Sequence, residues 1–259
     1  MDRPPPCRIL YHQNLKTMDN QSLVNKRVIL LGASSGLGLA TAIAAASGGA
    51  KVVIVSGNRQ RVNKALEQLP PGSEGYAVDL SIEENIKAFF EKVGRFDHLV
   101  YTAGENLNLN SINHTVINEA IGFFNLRFWS AFAAVKYGAP YINKGGSISL
   151  TSGTASQRPG AGWSVASAIC GAMEGFVRAM AVELAPIRVN CVVPGVIKTN
   201  LWDSMTDEQR GGMYQYLENN LLLKRVGETE DVALGFIYLM KQQYGTGRSL
   251  VIDGGTVLV

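Results

Sequence analysis

Three groups of residues in this chain have types and spacings that suit chemistry. The first is GASSGLG, residues 32–38, directly after the apolar run Val28 to Leu31. Gly32 permits a tight turn, Gly36 lets a ligand approach the backbone, and Gly38 lets a following helix pack close to the preceding strand. With Ser34, Ser35 and Leu37 between them, these residues present backbone N–H groups and the positive end of a helix to a pyrophosphate. A loop that merely needs small residues has a similar sequence, so the pattern gains meaning only from its surroundings. The second group, residues 56–59, ends the next apolar run. A carboxylate there would hold ribose hydroxyls and repel a 2′-phosphate. Ser56, Asn58 and Arg59 offer short donors and a guanidinium instead, which suits NADP(H). The plain alternative for Arg59 and Arg61 is a solvated first turn of a helix. The third is Arg127, a lone cation among Phe124, Phe128 and Trp129. It must reach solvent, a carboxylate or a ligand, because burying it unpaired is prohibitive.

The elements that would carry these residues alternate. Strand-like runs near 27–32, 51–56, 74–78, 97–101, 145–151, 187–192 and 248–252 are separated by helical patterns. The alternation predicts an α/β fold, a Rossmann-like doubly wound parallel sheet of about seven strands with helices on both faces. Right-handed crossovers then place a ligand at the carboxyl ends of the strands, at the switch point between the first and fourth. With 259 residues, 46% hydrophobic and 17% charged, the chain suits one well-buried domain over residues 24–259. The preceding 1–23 segment holds Pro4, Pro5, Pro6 and scattered polar residues without the apolar core of a secretion signal, and reads as a mobile tail. Residues 118–137 read as one long, largely apolar helix. Residues 200–223 read as a helical lid over an apolar ligand, with Trp202 and Met205 facing substrate, although a plain amphipathic surface helix would look much the same.

Net charge is +3 with no basic run, which leaves no footprint for nucleic acid or an anionic membrane. No apolar run reaches the roughly 18 residues of a membrane span. Cys7, Cys170 and Cys191 form no CxxC, which argues against a disulfide framework or metal site and predicts reducing, cytoplasmic surroundings. Cys170 and Cys191 read as small buried hydrophobes. His98 reads as a strand residue near the surface, and neither it nor His12 or His114 is given a chemical role.

The GxxxGxG spacing, the run FDHLVYTAG ending in Ala103 and Gly104, the segment GSISLTS ending in Ser152, and RVNCVVPGVIKT resemble the short-chain dehydrogenase/reductase family over about residues 24–255. The resemblance implies that Asp79 touches an adenine edge, although capping the next helix explains it equally well. It implies that Ala103 and Gly104 pass beside the cofactor, and that the Pro194-Gly195 loop, Ile197 backbone and Thr199 hydroxyl hold its carboxamide and phosphates. Ser152 would hydrogen-bond a substrate oxygen, and Asn125 would help organise an active-site water. A homodimer or homotetramer is implied as well, built on the apolar helices near 118–138 and 160–184.

One departure is large. Ordinary members carry Tyr-x-x-x-Lys about a dozen residues after the serine, the Tyr as proton donor and the Lys lowering its pKa and holding the nicotinamide ribose. Here those positions are Ala166 and Cys170, and between Ala155 and Met213 there is no tyrosine and only Lys198 as lysine. Tyr101 and the lid tyrosines are then the first residues to test as replacement donors. The pattern TSG, RPGAGWS, CGAMEG is similar to a divergent fungal secondary-metabolite branch, whose members resemble NADPH-dependent reductases that also guide a Diels–Alder cyclisation. In that branch Arg127 matches an active-site arginine, whose partner aspartate falls at Gly162 here. Trp163 is a wall for a flat substrate or a core aromatic beside a helix start.

The expected chemistry is hydride transfer from NADP(H) to a C=N or activated C=C or C=O of an apolar polycyclic substrate in a specialised pathway. Reduction of an iminium ion needs only the hydride, whereas an alkoxide left in an apolar site is very unfavourable without another proton source. A cyclase or isomerase on the same scaffold, and a non-catalytic NADP-binding protein, are the alternatives.

Overall fold

The computed structural model describes residues 22–107 and 109–259. Cys7, His12 and nearly all of the N-terminal tail lie outside them. Strands β1 (Arg27–Leu31), β2 (Lys51–Ser56), β3 (Glu74–Ala77), β4 (Phe96–Tyr101), β5 (Ile142–Thr151), β6 (Arg188–Pro194) and β7 (Ser249–Ile252) form one parallel sheet in the order β3-β2-β1-β4-β5-β6-β7. Leu31 pairs with Val55 on one side and Tyr101 on the other, so the chain reverses its direction of travel across the sheet between β1 and β4. That is the expected switch point, and it opens a crevice at the strands' carboxyl ends.

Near-continuous apolar strands form because both faces are covered. Ile29, Leu31, Val53, Val55, Leu99 and Ile148 turn to one face, against Phe90 of α3 (Glu83–Val93) and Val177 of the later helix at Ser164–Glu183. Val28, Leu30, Val52, Ile54 and Val100 turn to the other, against Ala42 of α1 (Gly36–Ser47) and Val62 of α2 (Arg59–Leu66). The alternation is the period of two of a strand, and each fully buried aliphatic side chain contributes about 1.5–3 kcal/mol.

Three expectations need correction. The segment read as one helix over 118–137 is α4 (Ile117–Phe124), a π turn at Asn125–Trp129, and α5 (Ser130–Gly138). The next helix, α6 (Ser164–Glu183), has mean hydropathy 1.4 and is long and apolar enough, by length and composition, to cross a membrane. Here it packs Met173, Phe176 and Val177 into the core beside the sheet. His98 is buried, its Nδ1 2.8 Å from Ser147 Oγ on the neighbouring strand.

Beyond β6, Thr199 caps a short 3-10 turn at Asn200–Trp202, and α7 (Asp207–Asn220) starts from a Thr206–Gln209 capping box. No residue of α7 is buried. Helix α8 (Thr229–Lys241) returns the chain to β7, its last carbonyls taken by the buried Arg188 guanidinium, which donates to Leu239 at 2.7 Å and Met240 at 3.1 Å.

Candidate functional site

A cavity of about 690 Å3 lies at the carboxyl ends of the central strands. Gly32, Ser34, Ser35, Gly36, Leu37 and Gly38 line one half of it. The glycine spacing has two different causes. At Gly32, φ is 89° and an added Cβ would lie 2.3 Å from the Ala103 nitrogen, while at Gly38 it would lie 2.5 Å from the Gly32 oxygen. Those two let the loop, β4 and α1 pack together. At Gly36, φ is 54° and an added Cβ would make only ordinary contacts, the nearest 3.5 Å from Asn200 Oδ1, so glycine is favoured there by the backbone conformation and not by crowding. Ser35, the N-cap of α1, makes no side-chain cap bond, and the first turn holds no acidic residue. The N–H groups and positive end of α1 therefore face the cavity and suit an anion.

At the end of β2, Ser56 Oγ is 2.9 Å from Ser34 Oγ and lines the cavity. Asn58 and Arg59 do not. Asn58 caps α2 by accepting from Arg61 N at 3.0 Å, and Arg59 Nη1 donates to the Gly75 carbonyl on β3 at 3.2 Å. Arg61 lines the cavity instead. Residues two apart on a helix point about 200° away from each other, so only one of the pair faces the cavity. Asp79 also lines it, and accepts from Ser81 Oγ at 2.6 Å and Ser81 N at 2.9 Å, bonds that hold its carboxyl below the usual range. The set fits a dinucleotide with an added phosphate: an amide cradle, a free guanidinium and no carboxylate at the tip of β2.

Ala103, Gly104, Pro194, Gly195, Ile197 and Thr199 continue the lining toward the other half, where Arg127, Ser152, Trp163 and Trp202 meet Ala166 and Cys170. Ala166 and Cys170 share one face of α6, one turn apart. Trp202 is buried, with Nε1 donating to the Ile197 carbonyl at 2.9 Å, so it serves as wall and strut together. Met205 does not line the cavity, and neither does Asn125, whose amide donates to the Ser81 carbonyl at 3.1 Å. Tyr101 is buried off the cavity. Its hydroxyl donates to the Leu126 carbonyl at 2.5 Å and burial pushes its pKa upward, which removes it as a proton donor. The tyrosines of α7 do not line the cavity either.

The π turn puts Leu126 and Arg127 on the cavity side. Its Leu126 and Asn125 carbonyls are held by Tyr101 and, at 3.1 Å, by Ser130 Oγ. The Arg127 guanidinium lies over the Phe123 ring, 4.6 Å from Cζ to centroid, and Nη2 donates to the Glu105 carbonyl. Burial is the main influence on it and lowers its pKa, while the Glu105 charge opposes that shift. Ser152 Oγ lies 3.2 Å from the Cys170 carbonyl and 3.3 Å from Glu174 Oε1, both long for a hydroxyl donor. Its proton is loosely shared and turns cheaply toward a ligand. Glu174 also accepts from Ser156 Oγ at 2.6 Å. Burial pushes the Cys170 thiol up, so it is neutral at ordinary pH.

Residues 32–257 match the sequence family described as enoyl-(acyl carrier protein) reductase. The chain is also 35% identical over 246 residues to the short-chain dehydrogenase/reductase ATR9 of Stachybotrys chlorohalonatus, covering 89% of this chain and 96% of that protein. This chain belongs to the short-chain dehydrogenase/reductase family. Two solved structures are similar to this dehydrogenase/reductase throughout. One is a small-chain dehydrogenase in complex with NADPH, 34% identical, TM-score 0.82, covering 91% of this chain and all of that one. The other is the MalC reductase/Diels–Alderase of Malbranchea aurantiaca, 25% identical, TM-score 0.84, covering 94% and all of that chain.

Sequence reasoning passed over Glu174, although it stands one turn beyond Cys170 as the lone charge in CGAMEGFV. It set Arg61 behind Arg59 because spacing alone did not give the phase of α2.

Proposed function

We propose that this chain is an NADPH-dependent reductase of a specialised, secondary-metabolite pathway. It delivers hydride to a C=N or an activated C=C or C=O of an apolar substrate without the usual Tyr/Lys proton relay. One observation carries the reading: a dinucleotide cradle and Arg61 share a continuous cavity with Arg127, Ser152, Ala166 and Cys170. Bound NADPH supplies the hydride. The chain's residues bind, orient and hold charge. Arg61 and the amides of α1 take the phosphates, Ile197 and Thr199 fix the nicotinamide face, and Trp163 and Trp202 shape the substrate half. A general acid contributes roughly 10²–10⁴ in rate to such reductions, and a methyl at 166 with a neutral thiol at 170 supplies none. The substrate must therefore tolerate hydride addition before protonation.

The likeness to MalC, named both reductase and Diels–Alderase, favours a second reading in which the same cavity also guides a cyclisation by shape. The test is incubation with NADPH deuterated at C4 and a panel of bicyclic enones, iminium salts and saturated ketones. Label is expected on an activated acceptor and not on saturated ketones. Efficient labelling of ordinary ketones, or no NADPH binding by calorimetry, would reject the proposal.

The protein is also proposed to be a homodimer or homotetramer. Ile117, Ile121 and Trp129 along α4 and the π turn, and Val182 on α6, are more than half exposed, and a second copy offers the same apolar face. A monomer at micromolar concentration by light scattering would reject this.

A further inference from the structure

We infer that Glu174 is a positioning residue for Ser152: from behind the cavity wall it keeps the oxygen of that hydroxyl, and not its proton, turned to the substrate half, so that the substrate carries an N–H or O–H donor beside the carbon that takes the hydride. The inference rests on the reductase reading above for which half of the cavity holds substrate, and it narrows the substrate class.

Glu174 stands one turn beyond Cys170 and two beyond Ala166 on α6, whose residues 166 and 170 line this half of the cavity. Its own side chain does not line the cavity and reaches instead the segment after β5, which carries Ser152 and then a 3-10 turn at Thr154–Ser156. Ser156 Oγ donates to Glu174 Oε1 at 2.6 Å, the firm bond of the group, and fixes the carboxylate. The same oxygen lies 3.3 Å from Ser152 Oγ. Among the described residues no salt bridge includes Glu174, and Arg178, one turn further along α6, is exposed. Arg127, the cation of this half, faces the Glu105 charge. The Glu174 charge is answered by hydroxyls, not by a cation.

A serine hydroxyl has one proton and two lone pairs. Both partners of Ser152 in the wall, the Cys170 carbonyl at 3.2 Å and Glu174 Oε1, are acceptors, so neither supplies a proton to its oxygen. With the proton on either of them, lone pairs face the cavity. The bonds are long enough for the proton to turn forward, but the carboxylate charge then stays behind the oxygen. A ligand carbonyl that draws the proton forward brings its own negative end toward that charge and takes a hydroxyl away from it. An N–H or O–H that donates to Ser152 does neither, and it joins a chain of bonds ending on the carboxylate in which each donor polarises the next. The charge reaches the cavity wall, where it adds to burial in raising the Cys170 thiol. A simple ketone offers Ser152 only an acceptor, which disfavours it independently of the missing Tyr/Lys pair.

Three flat, uncharged probes of one size class decide the matter: 2-naphthol, 2-methoxynaphthalene and 2-acetonaphthone, titrated by calorimetry into protein saturated with NADP+ so that the dinucleotide half is filled and no hydride is available. 2-Naphthol, the one donor among them, is expected to bind about fivefold or more tighter than either of the others, as one net hydrogen bond requires. Ser152→Ala is expected to remove that preference, which locates it. Glu174→Gln keeps the size of the side chain, removes the charge and brings an amide that donates to Ser152. It is expected to remove or reverse the preference with NADP+ affinity unchanged, whereas loss of a merely structural carboxylate would weaken all three probes alike. Glu174→Asp keeps the charge but draws it back by one methylene, and is expected to retain part of the preference. Equal affinities in wild type, tighter binding of 2-acetonaphthone, or a naphthol preference that survives in Ser152→Ala or Glu174→Gln would overturn the inference. If Glu174→Gln does not fold, the wild-type order and Glu174→Asp decide, an undiminished preference in the latter counting against it. These are binding measurements, so they fail separately from the label-transfer test of the reductase reading.

Discussion

Arg61 and Arg59 differ by two positions and by everything around them. Arg59 is tied to the Gly75 carbonyl, and Arg61 opens on the cavity beside Ser56 and Gly57. A 2′-phosphate held by a guanidinium gains hydrogen bonds worth about 1.5–3 kcal/mol. Arg61→Ala is therefore expected to weaken NADPH binding by roughly ten- to a hundredfold with NADH little affected, and Arg59→Ala to change either by much less. Calorimetry with both cofactors checks this, and a larger loss in Arg59→Ala would reverse the assignment. The missing carboxylate at the end of β2 was visible in the sequence. The choice between the two arginines was not, because it depends on where α2 begins, and Asn58 settles that by capping Arg61 N. The same limit applies to Asn125 and Met205, whose types fit the site but whose directions are set by neighbours distant in the chain.

The segment from Ile117 to Gly138 shows the limit for elements. Its apolar pattern is helical, and helix is what forms at both ends. The π turn between them left no mark in that pattern, because its irregular carbonyls are taken by the Tyr101 hydroxyl, from a strand more than twenty residues earlier, and by Ser130. Tyr101 thus positions Arg127 through the backbone. Tyr101→Phe keeps the ring in the core and removes the bond to Leu126. Leaving that carbonyl unsatisfied is expected to cost about 1–3 kcal/mol in chemical denaturation. Turnover should fall through loss of the Arg127 position, while NADPH affinity stays near that of wild type. Unchanged stability and kinetics would show that the turn holds without the hydroxyl.

For the molecule as a whole, the alternation of strand and helix was enough to give seven parallel strands and the switch point between the first and fourth, because a parallel doubly wound core is apolar on both strand faces and the central strands read as continuous apolar runs. What it did not show was how deep the few polar core residues lie. His98 sits on β4 opposite Ser147 of β5, and its burial, aided by the Arg188 charge, lowers its pKa to about 4. Lys26 acts in the same direction and Asp97 opposes. In the unfolded chain the same ring titrates near 6.5. Between about pH 6.5 and pH 4 the unfolded chain binds a proton that the folded chain excludes, so stability is full above this window and falls as pH drops through it. Across the whole window the loss is on the order of 3 kcal/mol. His98→Gln keeps a polar group near Ser147 and does not titrate. Urea unfolding at pH 7 and pH 4.5 is therefore expected to show a smaller acid loss in the variant than in wild type, by about 2 kcal/mol or more. Parallel losses in the two proteins would mean that His98 is protonated at little cost in the fold, and that the acid limb belongs to the carboxylates.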